Sequence, residues 1–203
     1  EVLRNITIYA NRLGIKYLTV YAFSTENWKR SVDEVKYIMS LPKIFFSSYI
    51  DELMENNVKI MIIGDRDKIP AETLAVIDKA IERTGNNTGL VLNFAFNYGS
   101  RDEIIKATKK YALDYSKGLV KDISEESFND YLYTSNLPDP DLLIRTGGQK
   151  RLSNFLLYQL AYAEIIVIDD LWPDFTNDIL NQCIDEYQNR KRNFGGRDEA
   201  KDN

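Results

Sequence analysis

Histidine is missing altogether from the 203 residues. Without an imidazole there is no Ser-His-Asp or Cys-His relay, no His-ligated zinc, and no side chain whose ordinary pKa suits it to general base work near neutrality. Cysteine is nearly missing too. The one thiol, Cys183, can form neither an internal disulfide nor a thiolate zinc site, a usage that fits a reducing cytoplasm. Long apolar runs are also lacking: the longest, residues 155–168, is interrupted by Gln159 and Glu164 and falls short of the roughly 20 apolar residues that span a bilayer. No secretory signal pattern stands at the start. Nor is there a basic excess, because 26 Lys and Arg face 31 Asp and Glu for a net charge of −5, which argues against a nucleic-acid partner. Both G-x-x-x-x-G-K-[ST] and G-x-G-x-x-G are absent, so ATP and NAD are disfavoured ligands. The chemistry left to the chain uses carboxylates, Arg and Lys, amides, hydroxyls or an oxygen-bound metal.

What is present is a regular alternation of strands and helices. The length suits one globular domain over 1–203, and no repeat, low-complexity segment or composition break marks a second. Val2, Ile6, Tyr9, Ala10 and Leu13 recur at helical spacing up to Gly14, a good helix terminator, so the sequence opens without Met and already inside an amphipathic helix. Tyr17-Leu18-Thr19-Val20-Tyr21-Ala22-Phe23, uncharged and rich in β-branched and aromatic residues, reads as a buried strand. Ser31 with Glu34 has capping-box spacing and opens a helix to about Asn56, apolar on more than one side and bent at Pro42. Strand 58–63, helix 70–83 and strand 89–96 follow. Ser100 with Glu103 suggests a second capping box, and a linker around Ser116-Lys117-Gly118 leads to a short helix at 124–131. Leu142-Leu143-Ile144 is a short strand delivering Arg145, 164–168 is another, and 177–192 is a final helix before a polar tail at Phe194-Gly195-Gly196. This order predicts an α/β fold with a mainly parallel central sheet flanked by helices.

Open parallel sheets bind ligands beyond the carboxyl ends of their strands, which singles out three loops. Arg145-Thr146-Gly147-Gly148-Gln149-Lys150-Arg151-Leu152-Ser153-Asn154 combines planar guanidinium forks, a Gly-Gly pair that would let backbone N–H groups approach an anion, and a hydroxyl. That set fits a diphosphate site, or else a basic surface loop making ordinary ion pairs. Ser24-Thr25-Glu26-Asn27-Trp28-Lys29-Arg30 mixes an acid, an amide, an indole and two cations, which suits a polar headgroup beside an apolar body or a helix-entry turn whose Trp28 packs on the core. Asn97-Tyr98-Gly99-Ser100-Arg101 is the third. Glu164 heads an apolar strand, where an ionised carboxylate is paired or metal-bound. Cys183 reads as a small packing residue, and Pro173 excludes an aspartate-rich helical magnesium motif at Asp169-Asp170.

Taken in order along nearly the whole chain, Tyr21-Ala22-Phe23-Ser24-Thr25-Glu26-Asn27-Trp28-Lys29-Arg30, Ile63-Gly64-Asp65, Asn87-Thr88-Gly89-Leu90, Asn97-Tyr98-Gly99, Ile144-Arg145-Thr146-Gly147-Gly148, Arg151-Leu152-Ser153-Asn154-Phe155-Leu156, Leu171-Trp172-Pro173-Asp174-Phe175 and Arg192-Asn193-Phe194-Gly195-Gly196 resemble the cis-prenyltransferase family of the bacterial undecaprenyl diphosphate synthase type. The resemblance implies a homodimeric, Mg²⁺-dependent enzyme that extends farnesyl diphosphate with isopentenyl diphosphate in cis geometry, makes a lipid carrier precursor for cell-wall synthesis, and leaves room for peripheral membrane contact at product release. It further implies that Arg145, Arg151 and Ser153, with Leu152 in the same stretch, hold isopentenyl diphosphate, and that Arg30 assists there. Asn27 would be the proton acceptor, within a substrate-contacting stretch of Ser24, Thr25, Glu26 and Trp28. Glu164 would help bind magnesium, and Leu90 would close the far end of an apolar product tunnel walled in part by the long helix after Ser31. The family's opening strand, its phosphate loop with the catalytic aspartate and a nearby histidine belong ahead of Glu1, so the resemblance implies a preceding segment. Two departures are Ser100 at a usual glycine and Gln149-Lys150 at a frequent Glu-His, which removes one acid from the metal's surroundings. A rival reading is a non-catalytic partner subunit of the same fold, against which the intact Arg145, Arg151, Ser153 and Glu164 set argues.

Overall fold

A computed structural model describes residues 1–190, and the motif at 192–196 lies outside the described residues. The chain divides into two compact units, residues 3–138 with 152–157, and residues 139–151 with 158 onward. In the first unit, α1 (Val2–Arg12) precedes β1 (Tyr17–Ser24), a one-turn 3₁₀ helix (Thr25–Lys29), α2 (Val32–Glu55), β2 (Lys59–Ile63), α3 (Ala71–Thr84), β3 (Val91–Tyr98), α4 (Ser100–Ser116) and α5 (Glu125–Asn129). The second unit holds β4 (Leu142–Arg145), β5 (Glu164–Val167), a 3₁₀ turn (Trp172–Asp174) and α6 (Asn177–Asn189).

All five described strands pair in parallel, as the alternating pattern predicts, in two ladders: β1-β3-β2 and β4-β5. β3 is the middle strand of the first and is buried along both faces, with Leu92, Asn93, Ala95 and Tyr98 fully inaccessible, as expected of a parallel strand covered on two sides. β1 is an edge strand. That is why its uncharged run, read as buried, is mostly half-exposed: of its eight residues only Phe23 is buried, and Tyr17 is 45% exposed. β3 also ends two residues later than the sequence suggests, carrying Asn97 and Tyr98 into the sheet.

α2 runs 24 residues, about 36 Å at 1.5 Å per residue, and continues through the buried Pro42. It is apolar on two sides: Met39, Pro42, Phe46 and Leu53 are buried while Tyr37, Leu41 and Ile44 face outward. Ser31 caps it by accepting from the Glu34 N–H, 3.3 Å, but the Glu34 carboxylate accepts from Arg30, 2.7 Å, instead of completing the predicted box. The second predicted box fails for a different reason. Ser100 lies inside α4, whose N-cap is Gly99, and Glu103 is buried, accepting from the Tyr98 hydroxyl at 2.5 Å and the Tyr133 N–H at 2.8 Å. The shorter helices follow their caps: Ser124 and Ser127 close α5 reciprocally, and Thr176 accepts from the Ile179 N–H at the start of α6, where Cys183 is buried as a packing residue. Among the described residues no helix is long and apolar enough to cross a membrane.

The middle strand carries the most concentrated burial. Leu92→Ala, at a fully buried position, is therefore expected to destabilise the protein by about 2–5 kcal/mol, read from the urea denaturation midpoint at unchanged slope.

Candidate functional site

Parallel pairing ends β1, β2 and β3 at one edge, with Ser24 opposite Tyr98 and Ile63 opposite Ala95. Three loops thereby meet without any long-range sequence signal. The first is the 3₁₀ turn. Its Asn27 Oδ1 accepts the Ser24 N–H at 2.9 Å, which closes the turn on itself and commits the amide oxygen. Trp28 does pack on the core, edge-on to Phe23 at 5.2 Å, while its indole N–H donates to Asn97 Oδ1 at 2.7 Å. Arg30 and Lys29 are exposed, with Arg30 paired to Glu34.

Asn97 opens the third loop that the sequence picks out, although the residue pattern assigns its own side chain no role. It is buried, sits at φ +51°, and its amide also donates to the carbonyls of Asp65 at 2.7 Å and Asp67 at 3.0 Å. One side chain thus ties the Trp28 turn to the loop after β2. Asp65 in turn accepts from Lys106, which also pairs with Asp102 at 3.0 Å. Partial burial raises the Asp65 pKa, but the Lys106 bond and charge and the Asp67 N–H outweigh it and leave it below the usual value. Glu26 behaves alike: burial pushes up, while hydrogen bonds from Asn154, its own backbone N–H, Ser24 and Thr25 pull it lower overall. Behind them, burial first and then the Glu103 carboxylate hold the Tyr98 phenol protonated far above its ordinary range.

The segment 152–157 reaches the same edge. Ser153 is exposed at φ +52° and Asn154 follows at φ +63°. Leu152 is half-buried, and its carbonyl accepts the Phe155 N–H at 3.0 Å; Phe155 stacks on Tyr21 at 4.5 Å. Gly99 lies so close that a Cβ there would stand 2.4 Å from Thr25 Oγ1, so any larger residue would displace that side chain.

In the second unit, Arg145 ends β4. Its Nε is buried without a hydrogen-bond partner among the described residues, a costly condition for a cationic group that a bound anion would relieve. Gly147 and Gly148 correct the expectation of free N–H groups. Both adopt positive φ, +77° and +66°, and donate to the carbonyls of Asp170 and Ile168 at 2.8 Å each, so they turn the chain instead of presenting donors. Arg151 is exposed and donates to Gln149 at 2.6 Å. Glu164 is half-buried, and of the two fates read for it the pairing is seen: its carboxylate accepts from Arg190 at 2.7 Å, within a triad that includes Glu186. It pairs in register with Leu142, three residues from Arg145, roughly 10 Å along the strand. No cluster of three or more acidic or thiol ligands that would cage a metal exists among the described residues. Leu90 is 1% exposed at the foot of β3 and far from the loop edge, its N–H held by Asn11 Oδ1 at 2.9 Å.

Comparison with known proteins places this arrangement. The family model described as "Putative undecaprenyl diphosphate synthase" matches residues 1–195. The "Ditrans,polycis-undecaprenyl-diphosphate synthase ((2E,6E)-farnesyl-diphosphate specific)" of Micrococcus luteus is 52% identical over 97% of this chain and 80% of its own length. An "Isoprenyl transferase" of Geobacillus kaustophilus is likewise 52% identical, over 97% of this chain and 77% of its own. Among solved structures, lavandulyl diphosphate synthase from Lavandula x intermedia in complex with dimethylallyl diphosphate superposes with a TM-score of 0.92 at 35% identity, covering 96% of this chain and 85% of its own. A "probable undecaprenyl diphosphate synthase" from Campylobacter jejuni gives 0.85 at 36% identity, covering 96% and 90%.

Both Asp65 and Glu26 have folded-state pKa values below their unfolded ones, so their contribution to stability is complete above the ordinary carboxylate range, near 4, and is lost as pH falls through the folded values. Asp65→Asn should therefore lower the urea midpoint at pH 7 and bring it level with the wild type at the acid end. Parallel midpoint-against-pH curves for the two proteins would refute the assignment.

Proposed function

The chain belongs to the undecaprenyl diphosphate synthase family of cis-prenyltransferases, and on that footing we propose that it condenses isopentenyl diphosphate units onto farnesyl diphosphate in cis geometry, yielding undecaprenyl diphosphate for cell-wall synthesis. A single catalytic domain, acting as a homodimer, is the form proposed. The observation that carries the reading is Arg145, a half-buried arginine at a strand end whose buried Nε has no hydrogen-bond partner among the described residues, a group suited to a planar anion. It is supported by Arg151 and the exposed Ser153 hydroxyl, which we assign to the isopentenyl diphosphate together with the neighbouring Leu152.

In the reaction the allylic C–O bond breaks, diphosphate departs, the isopentenyl double bond supplies the electron pair of the new C–C bond, and one proton is lost from the isopentenyl carbon skeleton. The protein's task is to neutralise growing charge with fixed donors and to exclude water. Arg30 supplies one such cation beside Ser24, Thr25, Glu26 and Trp28, which we assign to substrate contact. Asn27 is a poor base in any event, and its Oδ1 already accepts the Ser24 N–H, so we assign it the positioning of the departing proton, with released diphosphate as acceptor. Magnesium is proposed as the resident ion, and Glu164 fits as one oxygen ligand. So sparse a protein donor set suits a cation that keeps waters and is largely held by substrate phosphates. When bound it would neutralise the leaving diphosphate.

Product length is proposed to be set by an apolar tunnel with α2 as one wall and Leu90 at its floor. Leu90 lies eight residues before Tyr98, about 26 Å from the loop edge at 3.3 Å per strand residue, a depth that supports this role.

Incubation of the complete protein with farnesyl diphosphate, labelled isopentenyl diphosphate and Mg²⁺ should give long cis-polyprenyl products by chromatography. Absence of incorporation would leave the partner-subunit reading. Arg145→Ala should raise the KM for isopentenyl diphosphate by about tenfold or more, the loss of one charged contact. Leu90→Ala should shift the product distribution to longer chains, and an unchanged distribution would remove Leu90 from the tunnel floor. Asn27→Ala should abolish turnover and Asn27→Asp should impair it; an aspartate variant as active as the wild type would instead make position 27 a direct base.

A further inference from the structure

Neither the residue pattern nor the family resemblance gives Asn154 a task, yet its side chain and backbone hold three segments together. Its Nδ2 donates to Glu26 Oε1 at 2.8 Å, its Oδ1 accepts the Arg101 N–H at 2.9 Å, and its carbonyl accepts the Ser100 N–H at 2.9 Å. We propose that Asn154 is a positioning residue for prenyl transfer, fixing the 3₁₀ turn that carries Glu26 and Asn27 against the loop that carries Ser153. The proposal rests on the functional reading above.

Three features make Asn154 suited to this. The N-cap of α4 is Gly99, which has no side chain to offer, so two of the orphan N–H groups of the helix start are met by a residue 53 positions downstream. Ser153 and Asn154 are consecutive non-glycine residues at positive φ, a strained pairing that L side chains enter only when neighbouring contacts enforce it. Asparagine is among the few residues that tolerate it, and here its amide is fully directed: a donor toward a carboxylate and an acceptor from a helix N–H. Finally, Gly99 leaves room for the junction, since a Cβ there would stand 2.8 Å from Asn154 Nδ2.

The directionality supplies a test that mere shape would not pass. Asn154→Asp keeps size and still accepts from the Arg101 N–H, but sets a carboxylate against Glu26. Adding Glu26→Gln returns a donor to the pair with its direction reversed. In the complete protein, kcat, the KM for isopentenyl diphosphate and the melting temperature are measured for the wild type, both single variants and the double variant. Asn154→Asp should cut kcat by about 10- to 100-fold, as expected for a small misplacement of reacting groups, and should raise KM severalfold. The same substitution made in the Glu26→Gln background should cost much less. Equal losses in both backgrounds, or unchanged turnover, overturn the proposal. Should Asn154→Asp fail to fold, Asn154→Gly meets the positive φ without strain and removes only the amide; it should reproduce the kcat loss, and wild-type kinetics from it overturn the proposal. An active wild type with an uncoupled pair defeats this inference alone, whereas a wild type that incorporates no isopentenyl diphosphate defeats the functional reading and this inference with it.

Discussion

The parallel pairing of β1 and β2 on β3 is the constraint from which the rest of the first unit follows. Because the three strands run the same way, their carboxyl ends share one edge, and Ser24 stands opposite Tyr98 although 74 positions separate them in the chain. Every polar group of interest in that unit then lies at, or one turn beyond, that edge. Burial of β3 on both faces makes the arrangement rigid: a central strand with Leu92 and Ala95 fully inaccessible cannot slip register without turning its apolar set to the wrong side.

A second layer of order is polar. Buried donors and acceptors are costly unless paired, and at the strand ends they are paired with each other: Trp28 with Asn97, Asn97 with the Asp65 loop, Tyr98 with Glu103, and Glu103 with the Tyr133 N–H. Asparagine recurs in this layer because it both donates and accepts and because it tolerates left-handed backbone. The strand-end cluster is therefore built on amides, carboxylates and phenols, with no imidazole or thiolate. Arg145 behaves differently. Its buried Nε, in the second unit, has no hydrogen-bond partner among the described residues, which is why the proposed reading gives it an anion to hold.

Much of this was legible in residue order. The alternation of uncharged β-branched runs with amphipathic stretches located every described strand to within about two residues, and the rule that ligands gather at carboxyl ends directed attention to the loops after β1, β3 and β4. The errors have a common cause. Ser100 with Glu103 matched a local capping pattern, but Glu103 found better partners in Tyr98 and Tyr133 inside the core. Gly147 and Gly148 looked like anion-binding donors, but their N–H groups were claimed by Ile168 and Asp170 across the β4-β5 connection. In each case a non-local partner outcompeted the local one, which no window of sequence can reveal.

The sequence by itself determined the class of fold, the kinds of chemistry closed to the chain and the loops that follow its strands, because hydrophobic period and residue type act over a few neighbouring positions. Only the tertiary structure decided which polar atoms are already committed and which are left open. Whether Asn97 and Asn154 are linchpins or bystanders depends on atoms brought within 3 Å from segments 30 to 128 residues away, and hydrogen bonds are satisfied in space, not along the chain.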